Sequence, residues 1–271
     1  MTILVSGGDS FVWGSELSDQ TTSYSESTFP ALLAKQFNLS YICSAWPSNA
    51  NNAITRMSLA QCHQLIQQNK KIIVLIMWTF SSRFEFRFNY NTRQKISPWY
   101  SISPWTTLDD TTHILEHFKT DNKDIEYQQI KNIKTAQESG VANFAKLFNK
   151  DVGNSEYYEL YSTFKEIVFM QNYLKVNNIP YLFTTADWQE ENYTRCCDVF
   201  LSSLYDSIDW ENWYFFPAGT RFNETQKPRG FYQWAVENKY KIGTTHPLEK
   251  AHKDASILIQ EKFNEMVNQL I

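Results

Sequence analysis

Met1-Thr-Ile-Leu-Val-Ser-Gly-Gly-Asp-Ser-Phe-Val-Trp-Gly-Ser15 decides how the rest of the chain is read. Ile3 to Ser6 is an apolar, β-leaning run, short enough for a buried strand. Gly7 and Gly8 interrupt it, and glycine permits a sharp turn and a close backbone approach. Asp9-Ser10 then falls at the C-terminal end of that strand, the rim on which open α/β sheets build their sites. A serine on a tight turn there holds its hydroxyl outward, with backbone N–H groups nearby for an oxyanion. Ser10 is therefore a candidate nucleophile, and its own N–H a candidate oxyanion donor. A plain turn is the competing reading of Gly-Gly-Asp-Ser.

Downstream, the pattern alternates. Ser27 to Phe37 reads as a helix with Pro30 in its first turn, and Leu39 to Cys43 as a short strand. A turn-rich loop at 45–51 leads into a helix through Ile54, Met57, Gln61 and Leu65. Lys71 to Trp78 is a continuous apolar run, as expected for a strand covered on both faces. Residues 126–150 and 157–174 read as helices, Ile179 to Thr185 as another buried strand, Gly230 to Asn238 as a short helix and Leu248 to Leu270 as a long one. Strands alternating with helices predict a single three-layer α/β/α domain, 1–271, around a central parallel sheet of about five strands. An aromatic-rich insertion at about 86–125 follows a strand's C-terminal end, where it would lie over a site as a lid, a substrate wall or an assembly surface.

Gly8-Asp9-Ser10 after a first strand, together with His246-Pro247 and His252 ahead of and within a last helix, resembles the first and last blocks of the SGNH/GDSL hydrolases. The resemblance spans nearly the whole chain. It implies a serine esterase in which Ser10 is the nucleophile and His246 the general base, with His252 as structural support. The family's second block carries a glycine whose N–H helps bind the oxyanion. Ser48 stands there, and the amide of Asn51 offers a further donor, although an N-cap role for Asn51 competes. The third block's asparagine is absent, and Arg83 is the expected substitute, unless it pairs with nearby Glu85. The family's acid, three residues before the histidine, is replaced by Gly243. Either a backbone carbonyl orients the imidazole and leaves a Ser-His dyad, or Asp187, at the exit of a strand, completes the triad.

Composition narrows the rest. A net charge of −4, with both signs interspersed, gives no reason to expect nucleic-acid binding. No apolar stretch is long enough for a membrane span. The N-terminus lacks a signal-peptide pattern, and cleavage of one would remove Ser10, so a cytoplasmic or virion-associated protein is expected. Cys43, Cys62, Cys196 and Cys197 form no C-x-x-C motif. His113 and His117 lie four apart with no third ligand. No metal and no cofactor are therefore expected. Aromatics reach 16 % and stand beside Asn, Ser and Thr in the loops. That points to an acetyl ester on a carbohydrate as substrate, with Trp99 and Trp105 in the binding wall. A catalytically degenerate binding or structural module of a larger assembly, for instance a viral one, is the alternative.

Overall fold

The computed structural model describes residues 2–88, 99–104, 140–188, 198–217 and 228–269. In chain order its elements begin β1 (Ile3–Gly7), α1 (Ser10–Trp13), α2 (Phe29–Gln36), β2 (Ser40–Cys43), α3 (Asn51–Gln67) and β3 (Ile72–Trp78). A hairpin follows, β4 (Phe84–Arg87) and β5 (Trp99–Ile102), then α4 (Val141–Phe148). The chain closes with α5 (Glu156–Val176), β6 (Tyr181–Thr185), α6 (Val199–Asp206), α7 (Phe231–Glu237) and α8 (Glu249–Asn268).

Four strands make a parallel sheet in the order β2-β1-β3-β6. All seven residues of β3 are buried, which is why this run carries no polar alternation. Successive side chains still point to opposite faces. Leu4, Ile73, Leu75, Met77 and Leu182 pack with α2, α7 and α8, through Phe29, Leu33, Trp234, Ile259 and Phe263. Val5, Val74, Ile76, Trp78 and Phe183 pack on the other side with α3 and α5, through Ile54, Leu65, Phe164 and Met170. The result is three layers, as the alternation of strands and helices predicts. The expected fifth strand is reduced to a single parallel bridge between Phe183 and Trp213, with the Tyr214 N–H donating to the Phe183 carbonyl at 2.8 Å.

This order places β1 at a reversal of winding. α2, which leaves β1, lies on one face, and α3, which joins β2 to β3, lies on the other. Such a switch point opens a crevice at the carboxyl ends of the strands, and Ser10 lies directly after β1. The β4–β5 hairpin is antiparallel and is fastened to the start of α3. Asn52 exchanges two hydrogen bonds with the Glu85 backbone, at 2.8 and 2.9 Å, and Arg56 grips the buried Glu85 carboxylate with two more, at 2.8 and 2.7 Å. The remainder of the aromatic insertion, including Trp105, lies outside the described residues, as do Cys196 and Cys197. No described helix is long and apolar enough to cross a membrane.

Candidate active site

The Gly8-Asp9-Ser10 motif leads into a short helical turn. Asp9 caps α1, its Oδ1 accepting from the Phe11 N–H at 3.0 Å. Gly14 ends the turn in the left-handed region (φ 82°), which glycine adopts without penalty, and donates to the Ser10 carbonyl. Asp9 is fully buried. Its second oxygen accepts from the Thr79 hydroxyl at 2.6 Å and from Arg83 Nη1 at 2.9 Å. A carboxylate withdrawn from water needs such partners. The exit of β3 thus braces the turn that carries Ser10. Ser10 is 8 % exposed, and neither its hydroxyl nor its N–H has a hydrogen-bond partner among the described residues.

His246 reaches this turn from the far end of the chain. Its ring packs edge-on against Phe11, the residue after Ser10, with centroids 5.2 Å apart. A bridge between Ile242 and Pro247 and a hydrogen bond from the Gly243 N–H to the His246 carbonyl, 2.8 Å, close the loop that presents it. The structure contains no direct Ser10–His246 hydrogen bond. His246 Nδ1 is engaged by Glu16 Oε1 at 2.8 Å and by the Thr245 hydroxyl at 2.9 Å. Neither orienting group expected from the sequence, a backbone carbonyl or Asp187, occupies that place. Asp187 instead borders a small cavity together with Phe80 and Trp188. Sequence reading missed Glu16 because nothing in its spacing links it to a histidine 230 residues away.

Glu16 is itself held firmly. Its carboxylate also accepts from the backbone N–H groups of Thr244, at 2.5 Å, and Thr245, at 3.3 Å. Burial alone would raise its pKa. The His246 hydrogen bond and charge and the two N–H groups outweigh burial and hold it below the ordinary 4.5. The folded value lies below the unfolded one, so the group stabilises the fold above about pH 4.5 and ceases to as the pH falls through the folded value. The gap in thermal midpoint between the parent and Glu16→Gln should therefore be full above about pH 4.5 and shrink as the pH falls below it. A gap independent of pH would contradict this.

His252 is buried against Phe29 and Phe231. Burial first, and then the charge of His246, bring its pKa down to about 3. The neutral ring accepts from the Phe29 N–H through Nδ1 at 3.3 Å, a packing position rather than a proton-transfer one.

The candidate oxyanion residues separate. Asn51 is committed to structure: its NH₂ donates to the Thr79 carbonyl and the Thr163 hydroxyl, and its Oδ1 accepts from the Thr79 N–H. No amide hydrogen is left for a substrate. Its expected N-cap role is not seen either, since Ala50 occupies the cap of α3. Ser48 is exposed and sits at φ 66°, a backbone conformation that glycine favours. Its loop is tied to the nucleophile turn by Asn49 Nδ2, which donates to the Gly8 carbonyl at 3.0 Å. Arg83 does not pair with Glu85, which Arg56 has taken. Lying across Phe80, Arg83 reaches Asp9, next to the nucleophile. Trp99 carries the Arg56 guanidinium 4.4 Å from its ring, so that face is covered by the hairpin's own clamp. A more exposed aromatic is Trp46, 54 % accessible, edge-on to Trp13 of α1 at 4.7 Å and with its backbone N–H on the Gly8 carbonyl at 3.4 Å.

A small cavity, about 50 Å³, opens between the exits of β3 and β6 and is lined in part by Trp78, Thr79, Phe80, Ile167 and Trp213. Thr79 and Phe80 are its common wall with the Ser10 turn, since Thr79 bonds Asp9 and Phe80 packs on Phe11. Among the described residues no cluster of His, Cys, Asp or Glu is arranged to hold a metal.

No family model and no curated protein matches the chain. A solved structure described as a "putative lipolytic protein of G-D-S-L family" from Desulfitobacterium hafniense DCB-2 is similar over 88 % of this chain and 97 % of its own, with 9 % identity and a TM-score of 0.35.

Proposed function

We propose that the protein is a serine esterase cleaving short acyl esters, with Ser10 as nucleophile and His246 as general base. One observation carries the reading: Ser10 and His246 come from opposite ends of the chain to adjoining places at the switch point, joined through Phe11. A carboxylate beside Nδ1 accepts a hydrogen bond from Nδ1–H and keeps the proton on that nitrogen, which leaves Nε2 as the basic atom. Nε2 takes the Ser10 proton as Oγ attacks the ester carbonyl, then returns it to the departing alcohol. The Ser10 N–H is the available donor for the oxyanion. The cavity that shares Thr79 and Phe80 with the Ser10 turn, but is lined by neither Ser10 nor His246, has about 50 Å³, roughly a third of a void that admits benzene, and has no room for a long acyl chain. Exposed Trp46, beside the polar loop 47–49, supports a carbohydrate on the alcohol side.

A fluorophosphonate probe tests the chemistry: it should label the parent protein and leave Ser10→Ala unlabelled. An inert binding module is the second reading, favoured by the missing Ser10–His246 hydrogen bond, and an unlabelled, well-folded parent would establish it. For the alcohol side, Trp46→Ala should raise KM on an acetylated sugar about tenfold and leave p-nitrophenyl acetate nearly unaffected. Equal effects on the two substrates would remove the carbohydrate assignment.

A further inference from the structure

We infer that Glu16 is the positioning acid of His246, and that Gly243 is glycine to leave room for it. The inference rests on the esterase reading above and adds to it the origin of the third group. Gly243 does not have a left-handed backbone, so its conformation alone does not require glycine. Space does, as long as Glu16 stays on His246: a Cβ built on Gly243 would fall within the Glu16 carboxylate. A side chain on residue 243 would enter the space this carboxylate fills. An acid at 16 and an acid at 243 are thus alternative ways of occupying one place.

The backbone agrees. Glu16 has φ 70°, a region that residues with a Cβ seldom adopt. Such a conformation persists where surrounding contacts over-determine it, and here the Thr244 and Thr245 N–H groups and the His246 ring supply them. A carboxylate can only accept hydrogen bonds. It fixes the proton on Nδ1 and favours the imidazolium that forms as Ser10 is deprotonated. A glutamine could present an N–H to Nδ1 and select the other tautomer, which would disable Nε2 as base.

The test is a transplant. Glu16→Gln and Glu16→Ala should lower kcat on p-nitrophenyl acetate by on the order of 10⁴-fold, as loss of the orienting carboxylate does in the serine-protease template, with KM within about twofold. Gly243→Asp alone crowds Glu16 and should lower Tm. Glu16→Ala/Gly243→Asp should recover at least about tenfold in kcat over Glu16→Ala, which a merely structural role for Glu16 would not produce. In a ¹H NMR spectrum near pH 6, a downfield Nδ1–H resonance should be present in the parent, absent from His246→Gln and lost in Glu16→Gln. Two results would overturn the inference: Ser10-dependent turnover that Glu16→Gln leaves within about threefold, or a parent without that resonance. Absence of any Ser10-dependent turnover would instead remove the esterase reading, and the positioning role with it.

Discussion

Ser10→Ala is expected to abolish ester hydrolysis while leaving the fold intact. Removing the nucleophile of a serine hydrolase costs on the order of 10⁶ in kcat, so the variant should fall to the assay background. The Ser10 hydroxyl has no hydrogen-bond partner among the described residues, and its loss breaks no contact that holds the turn. The thermal midpoint should consequently move by no more than about 2 °C, as for a substitution away from packing and polar networks. A midpoint that collapses together with activity would show that Ser10 acts as a structural residue. Residual turnover within tenfold of the parent would assign hydrolysis to another group.

The second large effect is on stability. Arg83→Leu should destabilise the fold by about 3–5 kcal/mol, the usual result of stripping one partner from a buried ion pair. Asp9 is fully buried and Arg83 side-chain exposure is 18 %, so solvent screens little of the pairing. Thr79 and the Phe11 N–H would remain as hydrogen-bond donors, without a compensating charge. In a chain of this size the loss corresponds to roughly 6–20 °C in Tm. Asp9→Asn/Arg83→Leu should be less damaging than the two single losses added together, because it removes the stranded charge. Strict additivity in urea unfolding would show that the two side chains do not act as a pair.

What was legible in the sequence follows the range of the interactions. β3 was legible because seven consecutive apolar residues admit few environments, and α5 and α8 because their buried positions recur every three or four residues. Ser10 was legible because strand, glycine pair and serine are contiguous. The third partner of the site was not. Glu16 meets His246 only after Gly14 turns the chain and α8 brings the other end alongside, so no local pattern carries the contact. Gly243 did mark the vacancy, but the absence of a side chain does not say which residue fills the space. Asn51 illustrates the reverse: its amide looked free in the sequence, and the fold engages both of its hydrogens. Arg83, expected as an oxyanion donor or as the partner of the acid two positions away, is instead paired with Asp9 at the exit of a different strand.

The clasp between residues 16–18 and 243–249 has a consequence for the order of events in the cell. The Ser18 N–H donates to Glu249 at 2.7 Å, beside the Glu16 contacts, across a sequence separation of 231. A chain growing from the ribosome exposes Ser10 well before His246. Until α8 docks, Glu16 and His246 have not met. On the proposed esterase reading, activity would wait for that docking, and a chain shortened before His246 would keep all four strands of the sheet while being silent from the start.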